Sequence, residues 1–171
     1  SLRIVGAVAD IGEGDVVLGR PVRRHVRFFA AVAHLARDLG KPVAFVNAMI
    51  EPIGYELNER FYGWRPNDII EWTDNVNNYQ LGVLEVTRRA LVALNERISR
   101  TGVTDAFDPD LENATNWFMI KATKYWFPSA ESKYREGIAD LKKYRDSLEG
   151  KRATFYTRTD NLIPLLASFE D

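Results

Sequence analysis

The acidic stretch DAFDPDLE, carrying Asp105, Asp108, Asp110 and Glu112, is the densest run of oxygen ligands in the sequence and invites a calcium-loop reading. Counted from Asp108, acids fall at the first, third and fifth loop positions. Pro109 then interrupts the loop, Asn113 stands where the sharp turn needs glycine, and Met119 stands where the bidentate glutamate belongs. Asp108-Pro109 fits better as a helix cap and first helical residue, with Asp110 and Glu112 in the first turn, where the helix dipole favours acids. The glycines of GEGDVVLG, residues 12 to 19, lack the spacing of a dinucleotide fingerprint, and no strand-helix alternation follows them. His25 and His34, the only histidines, lie about half a turn apart around a helix, so one helix cannot offer both to a metal. With no cysteine, no G-x-S-x-G elbow and no phosphate loop, the recognisable nucleophile, metal and nucleotide signatures are missing, and no cofactor or metal is expected. A carboxylate acid-base pair is the one chemistry left open, because sequence does not show which of the 24 acids are held at catalytic separation.

Two basic clusters call for an explanation. Arg20, Arg23, Arg24 and Arg27 share one side near a helix start, where cations oppose the dipole. Either Asp10, Glu13 and Asp15 fold back onto them, or they form a surface for an anionic ligand, lipid headgroup or protein partner. In KYWFPSAESKYREGI, residues 124 to 138, bases interleave with Tyr125, Trp126 and Phe127 as they do where proteins stack on single-stranded nucleic acid. Glu131, Glu136 and Asp140 dilute that charge, and each polar residue has a local role. Pro128 stops the preceding segment, Ser129 accepts from exposed amides, and Glu131 suits the positive end of the dipole. The stretch is therefore expected to be a helix start whose aromatics enter the core, with no nucleic-acid partner.

The elements that must position these residues follow from composition and period. A chain of 171 residues, 46% hydrophobic and 27% charged, fits one globular domain, and its net charge of −1 provides no overall field toward nucleic acid or an anionic membrane. The apolar runs are too short to span a bilayer, and the start at Ser1 without a signal-peptide pattern suggests an excised or processed piece. The lack of cysteine suits cytoplasm and periplasm equally.

Residues 1–20 have the pattern of an irregular or strand-like arm, and 21–171 that of a helical body. Helices are expected from Pro21 to Leu39, from Asp74 or Asn75 to about Arg100, from Pro109, from the 129–130 region to Gly150, and from about Thr154 to Phe169 with a kink at Pro164. The apolar run VAFVNAMI is expected to end at Glu51-Pro52, and the aromatic-rich stretch after it has no clean period. The fold class is all-α, an antiparallel bundle of about five or six helices with the short arm at its N-terminus.

Read in order, GWRPNDI (63 to 69), TDNVNNYQLGVL (73 to 84), SRTGVTDAFDPDLENA (99 to 114), WFPSAESKYREGI (126 to 138) and FYTRTDNL (155 to 162) resemble domain of unknown function 2333, an uncharacterised bacterial family. The similarity spans about residues 60 to 165 and is looser over the first 50, and Pro164 departs from the family's pattern. The resemblance implies a membrane anchor outside this chain, a soluble domain on the periplasmic side of the inner membrane, and no established activity. Trp64, Asn67, Asp68, Asp74, Asn75 and Gln80 are the family-matching residues proposed as a binding site, beside the structural alternative of core, turn and cap. The leading functional expectation is a non-enzymatic interaction or structural domain that meets a protein partner. The alternative is a hydrolase of an envelope polymer using Asp68 and Asp74. A pocket where carboxylates converge would favour the enzyme, and a broad exposed face the interaction domain.

Overall fold

The computed structural model describes residues 41–61, 63–67, 75–99 and 107–156. The arginines at 20, 23, 24 and 27, both histidines and the N-terminal arm lie outside the described residues, as do the helix expected at 21–39 and the one expected beyond 156.

Four α-helices make up the described body, and the described residues include no strand: α1 (Pro42–Gly54), α2 (Val76–Ala93), α3 (Pro109–Phe118) and α4 (Ala130–Glu149). Two of them, α3 and α4, begin on side chains that cap them. At α3, Asp108 accepts from the amides of Asp110 and Leu111 at 3.1 and 3.2 Å, with Pro109 as the first helical residue. The supposed calcium ligand is thus committed to a cap. At α4, Ser129 accepts from the Ser132 amide at 3.3 Å, and Gly150 follows the last turn.

Packing is centred on α4, which lies against α3 and α1, while α2 lies against α1 and α3. Tyr134, Ile138, Leu141 and Tyr144 put one side of α4 into the core, as their spacing predicts. Gly137 of α4 lies close against α3. A Cβ there would lie 2.8 Å from Cε2 and 3.0 Å from Cδ2 of Phe118, so the Phe118 ring occupies the space a side chain would take. Beside that contact, Trp117 donates its Nε1–H to Asp140 Oδ2 at 3.1 Å, and Lys143 donates to Asp140 Oδ1 at 2.7 Å. Lys133 Nζ sits 4.1 Å from the Trp117 ring centre, adding a cation–π contact across the same helix pair.

Two helices run on past their regular hydrogen bonding. α1 continues through Pro52, where the sequence was expected to break, because Ile53 and Leu57 beyond it are buried and hold the next turn on the core. It then widens over Tyr55–Glu59 into a π turn closed by Arg60 N–H to Tyr55 O at 3.0 Å. α2 does the same over Leu94–Ile98, closed by Ser99 N–H to Leu94 O at 2.9 Å. Residues 154–156, the expected beginning of a last helix, are not helical. Their groups bond across the fold instead: Tyr156 N–H donates to Ile98 O at 2.7 Å, and Tyr144 O–H donates to Thr154 O at 2.9 Å.

Candidate functional site

The widened turn after α1 places Glu56 inside the protein, at 1% exposure, facing Gln80 on α2, which has none. A buried carboxylate is costly unless paired and fully hydrogen-bonded, and here it is both. Arg60, one α-helical step further, donates Nε–H to Glu56 Oε2 and Nη2–H to Oε1, the latter at 2.6 Å, and Gln80 Nε2 donates to Oε2 at 3.0 Å. The guanidinium is held above the usual arginine pKa chiefly by its hydrogen bond to Glu56, with burial opposing. The rings of Tyr55 and Tyr79 each lie 5.7 Å from it.

Gln80 spends the rest of its hydrogen bonds on the chain around Trp64. Its Nε2 donates to Gly63 O at 2.9 Å, and its Oε1 accepts from Arg65 N–H at 2.8 Å. The amide therefore grips the backbone on both sides of Trp64. The indole is 2% exposed, lies edge-on to Tyr134 at 5.4 Å, and donates Nε1–H to Ala122 O at 3.1 Å. Asn67 sits half-buried in a turn with Pro66. Asn75 precedes α2 in a left-handed conformation, φ 56°, and its Oδ1 accepts from Asn78 Nδ2 at 3.0 Å instead of from a helix amide. Asp68 and Asp74 lie outside the described residues.

Of the six residues singled out in sequence, Trp64 and Gln80 are thus brought together, in a structural clamp. Glu56 and Arg60 are the partners the sequence reading missed. Their signal was present: a glutamate four residues before an arginine is the favourable order for a helical ion pair. Both amide hydrogens and the carbonyl oxygen of Gln80 are engaged and Glu56 accepts three bonds, so the cluster's polar groups are turned toward one another and the backbone.

The clamp supports a different feature, the chain between α3 and α4. Arg88 donates to Phe118 O at 2.7 Å and to Ile120 O at 2.8 Å, and Tyr134 O–H donates to Ile120 O at 2.7 Å. With Trp64 on Ala122 O and Ala130 N–H on Lys124 O at 3.0 Å, both ends of this connection are fixed to the body. At its apex Tyr125, Trp126 and Phe127 are 55%, 81% and 96% exposed. The expectation that they enter the core is therefore wrong. Trp64, Phe118 and Tyr134 already fill that part of the interior, Phe118 stacked on Tyr134 at 5.6 Å, and from the connection itself Ala122 and the partly buried Ile120 take the inward positions.

A shallow groove also runs along α2 beside Val92, Ala93 and Met119, flanked by Glu85, Arg89 and Arg97, with Glu85 paired to Arg89 at 3.0 Å. No residue of the Glu56 cluster lines it.

An all-helical domain with a sealed polar clamp and an exposed aromatic apex is as far as the geometry by itself defines the class. A family model described as an uncharacterised protein conserved in bacteria, domain of unknown function 2333, matches residues 24–171, and the chain belongs to that family. The match reaches further toward the N-terminus than the motifs quoted from the sequence. No curated protein and no solved structure shows significant similarity to the chain.

Proposed function

We propose that this chain is a non-enzymatic interaction domain of a bacterial cell-envelope protein and that it makes contact through the Tyr125–Phe127 apex. The protein is attached to the inner membrane by a segment outside this chain, with the domain on the periplasmic side. The supporting observation is the exposure of three consecutive large aromatics on a base fixed by buried side chains. Exposed apolar clusters of this kind mark interaction sites on soluble domains, and a fixed base lowers the ordering cost of contact. The buried polar cluster supports the same reading, because its groups satisfy one another.

The test is photo-crosslinking in the native bacterium, with a photoreactive residue at position 127 of the full-length protein and, for comparison, at exposed position 149 at the far end of α4. Adducts of protein or lipid that form from 127 and not from 149 are expected. An apex that yields none refutes the reading.

A further inference from the structure

We infer that the Tyr125-Trp126-Phe127 apex inserts into the interface of an anionic lipid bilayer, giving the domain a membrane contact of its own. This rests on the apex being the contact surface, and three observations point to lipid. The connection from Met119 to Ala130 carries two charges, Lys121 and Lys124, both exposed and both positive, and no acid. Tyrosine and tryptophan are the side chains that favour headgroup depth, and adjacent lysines complement anionic headgroups. The three aromatics are also consecutive at a projecting apex, so one shallow insertion buries them together, and the fixed base removes the need to order the loop on binding.

Other occupants fit less well. The Tyr125 and Trp126 rings stand at 85° to one another, so they offer no parallel platforms for successive bases, and two lysines are few for tracking a phosphate backbone. A protein interface usually surrounds its aromatic anchors with a polar rim, whereas the charge along this connection has one sign. Three aromatics and two lysines make a weak, reversible contact, suited to orienting a domain against a bilayer.

The experiment is cosedimentation of the 171-residue chain with vesicles of phosphatidylglycerol and phosphatidylethanolamine, beside vesicles of phosphatidylcholine alone. The chain is expected to bind the anionic vesicles and to be released by salt. W126A/F127A should lower the partition coefficient at least about tenfold. K121Q/K124Q should lower it about fivefold per lysine on anionic vesicles and leave any binding to neutral ones unchanged. Failure to bind either vesicle, binding that W126A/F127A leaves intact, or unfolding of that variant, which would contradict the exposed placement, each overturns the inference. If vesicle binding fails while position 127 still crosslinks to a protein or to a second copy of the chain, lipid is the wrong partner and the interaction reading stands. If position 127 yields no adduct either, both fall.

Discussion

Replacing Gly137 by alanine tests the packing that holds the aromatic apex in place. The new methyl group would lie 2.8 Å and 3.0 Å from two Phe118 ring carbons and 3.3 Å from Trp117 Cβ. The ring has little room to turn aside, because it is also stacked on Tyr134 with 7° between the planes. Overfilling a packed site costs about 1–3 kcal/mol, while replacing a helical glycine by alanine gains up to about 1 kcal/mol of propensity. The net expectation is a loss of up to about 2 kcal/mol. Gly54→Ala is the matched control. Gly54 is the last residue of α1, and its added Cβ would meet only Ile138 Cδ1, at 4.0 Å, so the same chemical change should stabilise by about 0.5–1 kcal/mol. Urea unfolding followed by far-ultraviolet circular dichroism reads both variants against the parent chain, and an unchanged slope certifies that stability alone has moved. A Gly137→Ala protein as stable as the Gly54→Ala protein would show that Phe118 is not locked against α4, and the fixed base proposed for the apex would lose its support.

Gln80→Leu should cost about 2–4 kcal/mol in the same unfolding assay, because Arg65 N–H and Gly63 O lose their partner and Glu56 loses a donor at a site closed to water. A loss below about 0.5 kcal/mol would mean that the clamp is open to solvent. Stability should also fall at alkaline pH. Burial raises the pKa of Tyr134, against an opposing effect of Arg88, and burial with a smaller contribution from the Asp108 charge raises that of Tyr144. A folded pKa above the unfolded one leaves stability intact below the ordinary tyrosine range, near pH 10, and erodes it as pH rises from there toward the folded values. Tyr144→Phe should flatten that decline in unfolding curves measured across the range, and an unchanged slope would contradict the burial of its hydroxyl.

What could be read from the sequence is what neighbours in the chain decide. Asp108 and Ser129 cap their helices, Gly150 follows α4, and Tyr134, Ile138, Leu141 and Tyr144 face inward, because a cap or a helical stripe depends on residues within one or two turns. Family membership was legible for a related reason, since it lay in the order of local motifs. Pro52 shows where local rules give way: its missing amide argues for a helix end, but the burial of Ile53 and Leu57 outweighs it. The clamp needs Glu56 to meet a glutamine 24 residues away and Trp64 to meet a carbonyl 58 residues away, pairings that no period records.

The aromatic apex is the sharpest case. Composition made Tyr125, Trp126 and Phe127 candidates for the interior, but hydrophobicity states only that a side chain gains by leaving water, not which of several competing side chains finds room. The sequence by itself determined the all-helical class, the caps and the inward stripes, because these follow from short-range backbone and side-chain chemistry. Only the tertiary structure decided that Trp64, Phe118 and Tyr134 fill the core beneath the α3–α4 connection and leave its three aromatics outside, because a close-packed interior has a fixed volume, and what fills it depends on contacts between distant parts of the chain.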